Sequence, residues 1–366
     1  MGLRVIVAHN FYRSAQPSGE NTVVGNEMRW LAEAGVTVVP YLRSSDDITF
    51  ISPTRPIWSP QRELARLIRQ HRPDVLHLHN PYPLISPAVI HTAHRHGVPV
   101  VQTVHNYRHV CVNGLFYREG SDCHDCVGKA FATPAIRHGC YRGSRAQSAV
   151  MATALAVHRP AWRSVEGFIA PSSVLRDHLT RYGIAPQRIV VKPNAAEDPG
   201  PPTPPGTGAL FAGRLEEAKG IRQLLDAWDP ALGTLTVAGG GPLEKLVQHH
   251  RHVSYVGNLA ADGVRAAIRA AAFVIVPSQA EDVHPTIVIE SLANGRAVLG
   301  THKGGIPEMI GPAGWVADDL ARALPGAFAQ APALSAVARQ RYLDIFSPEA
   351  CARQLINIYT HIKQVL

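Results

Sequence analysis

The residues best suited to chemistry lie in one stretch near the C-terminal end of the chain. The segment from Val276 to Gly311 reads VPSQAEDVHPTIVIESLANGRAVLGTHKGGIPEMIG, with acids at Asp282 and Glu290 and with Pro285 between them. Carboxylates accept hydrogen bonds from sugar hydroxyls, and backbone N–H groups at a helix start bind phosphate. Two acids that bracket a strand-to-helix turn therefore predict a site for a phosphorylated, hydroxyl-rich ligand such as a nucleotide sugar.

A second stretch carries cations at the exit of a predicted strand. The sequence FAGRLEEAKGI places Arg214 directly after the strand and Lys219 at the start of the next helix. Two cations beside a helix N-terminus are suited to neutralise a pyrophosphate. Taken alone, the stretch also fits a solvated loop in which both cations pair with Glu216 and Glu217. The acidic stretch that follows later in the chain favours the phosphate interpretation.

A glycine-rich turn follows another predicted strand. The sequence AGGGP, from Ala238 to Pro242, allows close approach of the backbone to a ligand, or simply a tight turn. Its spacing does not match G-x-G-x-x-G, so the turn gives little support to a nicotinamide cofactor.

The positions of these motifs follow from a repeated alternation of strands and helices, which predicts an α/β fold with two doubly wound, Rossmann-like halves. The predicted strands are 2–8, 36–42, 74–78, 98–104, 167–170, 209–212, 234–238, 253–256, 273–276 and 297–301, and the predicted helices of the first half include 20–34, 61–70, 85–96 and 147–164. The proline-rich sequence DPGPPTPPGTG at 198–208 predicts a stiff, extended linker. We therefore expect a first domain at 1–197, a second at 209–345, ligand binding at strand ends that face a cleft, and a C-terminal helix at 346–366 that returns to the first domain.

The segment 105–145 interrupts the alternation and concentrates cysteines. Cys111, Cys123, Cys126 and Cys140 lie in it, and Cys123 and Cys126 form a C-x-x-C pair. Four thiols of this kind fit a structural zinc ion, although the outer spacings differ from those of a common zinc ribbon. Reduced, unliganded thiols are the alternative, and disulfides are disfavoured in a cytoplasmic protein. Cys351 stands apart and is expected to be a buried helix residue.

The composition limits the classes of partner and location. The 366 residues carry a formal net charge of +8, 46% are hydrophobic, and the mean hydropathy is -0.03. No apolar run reaches the roughly 18 residues of a membrane span, and no signal peptide is apparent, so we expect a cytoplasmic protein. The positive charge is compatible with peripheral association with the inner membrane face. No recognition helix or aromatic-basic platform indicates nucleic-acid binding.

These motifs, taken in order, resemble the retaining glycosyltransferases of family 4, which have the GT-B architecture. The resemblance rests on Gly213-Arg214 with Lys219-Gly220, the glycine turn at 239–242, Tyr255-Val256-Gly257, and the acidic pair with its Gly304-Gly305 turn. It covers essentially the whole second half. In the first half, Pro17-Ser18-Gly19-Glu20-Asn21 resembles the family's glycine-rich loop, with Ser18 where glycine is common, and Thr103-Val104-His105-Asn106 resembles the segment that ends in an active-site histidine.

The resemblance implies a role for each matching residue. Arg214 and Lys219 would hold the donor pyrophosphate, Glu290 the ribose hydroxyls, and Asp282, where the family usually has Glu, the transferred sugar. Glu281 is an adjacent candidate for the sugar. His105 would face the sugar and the acceptor, and Gly19 would allow its loop to approach the donor phosphate or the acceptor. The remaining donor-binding candidates are Gly213, Gly240, His284, Pro285 and Thr286.

The implied reaction is sugar transfer from a nucleotide sugar to a saccharide, lipid-linked or secondary-metabolite acceptor, with retention of anomeric configuration. It requires no metal or other cofactor for catalysis. A nucleotide-sugar epimerase of the same architecture and a non-catalytic nucleotide-sugar-binding subunit are the alternatives.

His77 and His79 lie in or directly beside a predicted buried strand. We therefore expect them to be core histidines with their hydrogen bonds satisfied, rather than ligands.

Overall fold

The computed structural model describes residues 2–14, 18–48 and 59–365. The chain divides into two compact units. Unit 1 comprises 1–114, 125–193 and 351–366, and unit 2 comprises 115–124 and 194–350. Pro17, which the sequence resemblance includes, lies outside the described residues.

Unit 1 is built on a parallel sheet of six strands. The strands are buried apolar runs, such as Val75–Leu78, as is typical of a sheet covered by helices on both faces. The strands of unit 1 are β1 (Arg4–Phe11), β2 (Thr37–Ser44), β3 (Val75–Leu78), β4 (Val100–Thr103), β7 (Gly167–Ala170) and β8 (Ile189–Val191), in the sheet order β2-β1-β3-β4-β7-β8. The strand order reverses between β1 and β3, which creates a topological switch point.

Six helices of unit 1 connect these strands. They are α1 (Gly19–Glu33), α2 (Ser59–His71), α3 (Val89–Arg95), α4 (Thr133–Arg137), α5 (Arg145–Arg163) and α6 (Ser173–Tyr182). The side chains of Ser144 and Ser172 cap α5 and α6 by accepting hydrogen bonds from Gln147 N and Leu175 N. The predicted helix 85–96 is shorter than expected, since 85–88 form turns and α3 begins at Val89.

Unit 2 is built on a second parallel sheet, with the order β11-β10-β9-β12-β13-β14. Its strands are β9 (Ala209–Ala212), β10 (Leu235–Ala238), β11 (Val253–Gly257), β12 (Phe273–Val276), β13 (Ala297–Gly300) and β14 (Gly314–Val316), and its helices are α7 (Ile221–Ala227), α8 (Glu244–Gln248), α9 (Ala261–Ala270), α10 (Thr286–Ala293), α11 (Ile306–Ile310), α12 (Leu320–Gln330) and α13 (Ser335–Arg341). This is the order of a dinucleotide-binding Rossmann sheet, with its switch point between β9 and β12.

Two further elements complete the fold. A short antiparallel hairpin, β5 (Tyr117–Arg118) and β6 (Ser121–Asp122), lies in the cysteine segment and belongs to unit 2. The last helix, α14 (Pro348–Val365), belongs to unit 1 from Cys351 onward. Cys351 is buried in it, as the sequence predicts. Among the helices of the described residues, none combines the length and the apolar character of a membrane span.

The proline-rich segment 198–208 is fixed to unit 2 by one buried side chain. The Arg296 guanidinium is fully buried and donates to the carbonyl oxygens of Thr203 and Pro204 at 2.9 and 3.0 Å. It also donates to Ala271 O at 2.9 Å. Buried charge-assisted hydrogen bonds of this kind hold the extended backbone in place, since proline cannot pair it as a strand.

Candidate functional site

The loops that follow β9 and β12 carry the predicted phosphate- and sugar-binding residues of unit 2. Arg214 lies two residues after β9, and Lys219 ends a single 3-10 turn that precedes α7. Asp282 lies in the loop between β12 and α10. Because β9 and β12 flank the switch point, these side chains lie where open α/β sheets bind their ligands.

Lys219 and Asp282 form an ion pair, with the Lys219 ammonium donating to the Asp282 carboxylate. Their side chains are 32% and 16% exposed. Glycines allow the two loops to meet. A Cβ on Gly220, whose φ is +72°, would lie 1.8 Å from Pro277 O, and a Cβ on Gly304, whose φ is +58°, would lie 2.1 Å from Asp282 O. The structure thus requires glycine at both positions to bring cation and acid together.

Arg214 is the most exposed cation of this group, at 69% of its side chain, and it pairs with Glu216. The ion pair that the solvated-loop alternative predicts is therefore present for Arg214. For Lys219 it is absent, because Glu217 pairs with Arg222 instead, at 2.8 Å, and Lys219 pairs with Asp282.

Glu290 lies on α10 and is largely enclosed. Burial raises the pKa of its carboxyl, while a hydrogen bond from Thr286 and the nearby Arg265 act in the opposite direction. Pro285 occupies the N-cap position of this helix and Thr286 its first position.

Three further residues from the sequence prediction lie around this loop system. The ring of His284 is buried, and its centroid lies 5.9 Å from the centroid of the Phe346 ring. Gly213 N donates to Ala238 O at 3.0 Å, and Gly240 O accepts from Leu215 N at 3.0 Å. The loops that follow β9 and β10 are therefore joined backbone to backbone.

The hairpin of the cysteine segment contacts the same loops of unit 2. Tyr117 packs with Ala218 and Ala280, which precede Lys219 and Glu281. His124 Nε2 lies 3.2 Å from the Glu281 carboxylate. Lys303, next to the Gly304 turn, donates to Asp122 at 2.6 Å. The sequence did not indicate that part of the cysteine segment lies beside the predicted sugar-binding acids.

In unit 1, the residues at the strand ends form a buried cluster of histidines. His79 Nδ1 lies 2.9 Å from His105 Nε2, and the two rings are stacked with their centroids 5.3 Å apart. His77 is hydrogen-bonded to Thr103 Oγ1 at 2.7 Å and to the Tyr359 hydroxyl at 2.6 Å. The prediction that His77 and His79 are satisfied core histidines is thereby confirmed.

A buried ion pair lies beside these histidines. Lys192 Nζ donates to Glu27 Oε1 at 2.6 Å and to Cys351 Sγ at 3.2 Å, and the other Glu27 oxygen lies 3.8 Å from His79 Nε2. Burial alone would lower the pKa of Lys192, but Cys351 and Glu27 raise it above its ordinary value. Burial raises the pKa of the Cys351 thiol to about 12, so the thiol is protonated at neutral pH. The sequence did not single out Glu27 or Lys192.

A pocket in unit 1 is lined by His105 and by a second group of polar side chains that sequence analysis missed. The Tyr12 hydroxyl donates to Glu20 Oε2 at 3.2 Å, and Arg108 donates to the Tyr12 oxygen at 3.1 Å. Glu20 and Arg108 both line the pocket. Burial raises the pKa of Glu20 to about 7, partly offset by Arg108 and by hydrogen bonds from Tyr12 and Asn106. Gly19 begins α1, directly before Glu20.

Within the described ranges, one group of side chains has the composition and spacing of a metal site, namely Glu27, His77 and His79. Several of its donor atoms are engaged, because Lys192 pairs with Glu27 Oε1 and both ring nitrogens of His77 are hydrogen-bonded, while Glu27 Oε2 has no hydrogen-bond partner. We therefore interpret this group as a hydrogen-bonded network.

The four segment cysteines are half-buried. Cys126 and Cys140 pack on a small apolar cluster around Ala135 and Leu155. Cys111 also belongs to unit 1, whereas Cys123 lies in the stretch 115–124, which belongs to unit 2. Zinc binding by these cysteines stays a prediction.

Comparison with known proteins identifies the family. The model described as Glycosyltransferase Family 4 matches residues 17–198, and the model described as Glycosyl transferases group 1 matches residues 206–331. A lipopolysaccharide 1,2-N-acetylglucosaminetransferase of Salmonella typhimurium is 31% identical over 137 residues, which cover 32% of this chain and 34% of that protein. The chain thus spans about a third of the length of the curated relatives it matches.

Solved structures agree on the fold. Sucrose-phosphate synthase from Thermosynechococcus elongatus superimposes with a TM-score of 0.69 at 17% identity, over 100% of both chains. Anabaena HepE, solved in complex with UDP-glucose, superimposes with a TM-score of 0.68 at 12% identity, over 98% of this chain and 100% of that one. With its two parallel-sheet domains and its two matching family models, the chain belongs to the family 4, group 1 glycosyltransferases of GT-B fold.

Proposed function

We propose that the protein is a retaining hexosyltransferase that moves a sugar from a nucleotide-sugar donor to a hydroxyl of a saccharide, lipid-linked or secondary-metabolite acceptor. The observation that carries this proposal is the arrangement at the switch point of unit 2. There, Arg214 and Lys219 provide cations, and Asp282 and Glu290 provide acids, in loops at the strand ends. The family and the UDP-glucose complex of a structural neighbour support a nucleotide sugar as the donor.

We assign the donor phosphates to the two cations. When the bond between the anomeric carbon and the phosphate oxygen breaks, the leaving nucleoside diphosphate gains negative charge. Arg214 and Lys219 can stabilise that charge. Their present ion pairs with Glu216 and Asp282 are weak enough to exchange for a ligand's phosphate, because the Arg214 side chain is mostly exposed and the Lys219 side chain is partly exposed. The acceptor oxygen forms the new bond on the same face of the sugar, and its proton passes to the departing phosphate.

The remaining site residues are assigned to the donor's hydroxyls and to the acceptor. Glu290 binds the ribose, and Asp282 or the neighbouring Glu281 binds the transferred sugar. The ion pair with Lys219 directs the Asp282 carboxylate, while His124 contacts Glu281. From unit 1, we assign His105 a position facing the sugar and the acceptor. Gly19 approaches the donor phosphate or the acceptor. We assign the acceptor to the pocket of unit 1 that Glu20 lines.

Two accessory features belong to the same proposal. A structural zinc ion held by Cys111, Cys123, Cys126 and Cys140 would stabilise the cysteine segment. Elemental analysis of protein purified without chelator tests it, and less than about 0.1 zinc per chain would rule it out. Association with the inner membrane face would give access to a lipid-linked acceptor.

The function is tested in two steps. A thermal-shift panel of nucleoside diphosphates and their sugar conjugates should identify one nucleotide that stabilises the protein, by about 2.7 kcal/mol at a hundredfold excess over its dissociation constant. That donor is then incubated with candidate acceptors, and NMR of the product reads the anomeric configuration. Retention supports the proposal, and inversion contradicts it. Interconversion of the donor without acceptor would instead indicate an epimerase, and tight binding without turnover a non-catalytic subunit.

The matched variants are Arg214→Ala, Lys219→Ala and, as the control, Arg222→Ala. Each transition-state cation should contribute about 3–4 kcal/mol, so the first two variants should lower kcat by about 10²–10³-fold at saturating donor. Arg222 lies in the same stretch but pairs with the exposed Glu217, so its variant should keep wild-type turnover. Wild-type kcat in both Arg214→Ala and Lys219→Ala would refute their assignment.

A further inference from the structure

The outward face of α5 lacks the charged side chains that an exposed helix normally presents. Besides Arg145, Gln147 and Arg163, its exposed residues are spaced four, three, four and three residues apart and so follow one face of the helix: Ala146, Val150, Thr153, Val157 and Pro160. Val150 and Val157 are 69% and 65% exposed, the highest values among the exposed large apolar side chains of the described residues. At a rise of about 1.5 Å per residue, the strip from Ala146 to Pro160 is about 21 Å long.

The surroundings of this strip are strongly cationic. No acidic residue lies between Asp125 and Glu166, while six basic ones do: Lys129, Arg137, Arg142, Arg145, Arg159 and Arg163. Arg145 and Arg163 are exposed at the two ends of α5. Arg159 is not counted among the available charges, because it is only half-exposed and its guanidinium donates to Lys129 O and lies over the Tyr182 ring. Arg145 donates to Arg137 O but stays exposed. The same acid-free stretch also exposes Phe131.

We propose that the outward face of α5 docks on an anionic lipid surface. Apolar side chains flanked by arginines match the boundary between acyl chains and headgroups, where the strip enters the hydrocarbon and the cations contact phosphate. Charge complementarity selects a surface that is anionic, and the uncharged strip requires one that also accepts apolar side chains. An anionic bilayer provides both over the whole length of the helix.

The proposal of a docking surface is based on the exposure and the charges of α5. Only its consequence for the class of acceptor rests on the proposed transferase function. If α5 lies on a bilayer, unit 1 is held at the membrane, and a lipid-linked hydroxyl becomes the favoured class of acceptor. Vesicle binding is measured without donor or acceptor, so its outcome is independent of whether the protein transfers a sugar.

The experiment is co-sedimentation of the full-length protein with vesicles of phosphatidylcholine containing 30% phosphatidylglycerol, at about 25 and 150 mM salt. We expect binding that weakens with salt and is at least tenfold weaker to pure phosphatidylcholine. Val150→Asn/Val157→Asn should weaken partitioning about tenfold, because two apolar side chains no longer enter the bilayer. Arg145→Gln/Arg163→Gln should weaken it about fivefold for each cation removed.

The control is Val337→Asn, an exposed valine on α13 of unit 2, which should bind vesicles as the wild type does. All valine variants replace exposed side chains, so their melting temperatures should stay within about 2 °C of the wild type. The proposal is overturned if the wild type does not bind anionic vesicles at low salt, or if the double valine variant binds as well as Val337→Asn. It is equally overturned if the valine variant abolishes a dimer of this chain while vesicle binding is absent.

Discussion

The ion pair beside the histidines of unit 1 and the ion pairs of the candidate donor site of unit 2 differ in exposure. In unit 1, Lys192 and Glu27 are 0% and 2% exposed and share a network with buried histidines. In unit 2, Lys219 and Asp282 are partly exposed, and Arg214 extends into solvent. Breaking a buried pair costs several kcal/mol, whereas an exposed pair contributes at most about 1 kcal/mol. Unit 2 can therefore exchange its ion pairs for a ligand's charges, while the ion pair of unit 1 serves the fold.

The sharpest way to break this comparison is to remove one lysine from each unit. Lys192→Met leaves the buried Glu27 carboxylate without its cation, so we expect a loss of about 3–5 kcal/mol in the free energy of unfolding. Lys303→Met removes a lysine from a part-exposed pair with Asp122 in unit 2 and should cost at most about 1 kcal/mol. Urea denaturation of the three proteins measures both losses.

A double variant separates charge from packing. Glu27→Gln/Lys192→Met removes both charges and should recover part of the stability that Lys192→Met loses, since no unpaired buried charge remains. Equal losses in the free energy of unfolding for Lys192→Met and Lys303→Met would show that the buried ion pair of unit 1 is no stronger than the part-exposed pair of unit 2.

The second prediction concerns Glu20, whose pKa burial raises from 4.5 to about 7. As pH rises from about 4.5 to 7, the unfolded chain loses this proton before the folded protein does, so stability falls with pH. The shift of 2.5 units corresponds to about 3 kcal/mol, which is fully lost only above pH 7. Glu20→Gln stays neutral and should remove this part of the pH dependence between pH 5 and 8.

The control for Glu20 lies on the same helix. Glu33 is 59% exposed at the end of α1, so Glu33→Gln should keep the wild-type pH dependence. Parallel stability profiles for the wild type and Glu20→Gln would contradict the raised pKa.

The same contrast explains what the sequence could predict. The residues assigned to the donor in unit 2 lie in the loop or the helix that directly follows β9 or β12, so they are visible as local motifs: Arg214, Lys219, Asp282 and Glu290. The parallel α/β class follows from the sequence, and nine of the twelve strands of the two large sheets lie within two residues of the predicted bounds, because buried strands are continuous apolar runs. Arg4–Phe11 differs from its predicted bounds by up to three residues.

The parts that sequence reasoning missed depend on distant residues or on short elements. Glu27 and Lys192 are 165 positions apart, and His77 and Tyr359 are 282 apart, so no local spacing indicates that they meet. The edge strands Ile189–Val191 and Gly314–Val316 have three residues each, too few for a periodic pattern. The hydrogen bonds that join Glu20 and Arg108 through Tyr12 likewise depend on the folding of unit 1.

The third prediction concerns the hydrogen bond that reaches His105 through the buried network. Because His79 Nδ1 lies 2.9 Å from His105 Nε2, this contact fixes the orientation and tautomer of the His105 ring. His79→Asn should lower kcat about 10- to 100-fold, the range for partners that orient a functional histidine, and leave the donor KM nearly unchanged. The ring nitrogen shifts of His105, measured by ¹⁵N NMR, should change as the tautomer mixture shifts.

His77→Asn is the matched control, since His77 lies on the same face of β3 but bonds Thr103 and Tyr359 rather than His105. It should lower the melting temperature without altering the ¹⁵N pattern of His105. If the ¹⁵N shifts of the His105 ring are unchanged in His79→Asn, the network of unit 1 contributes only to stability, even if kcat falls. A changed pattern with wild-type kcat would instead mean that His105 takes no part in turnover. The two units would then differ more than we infer, with the chemistry confined to the loops of unit 2.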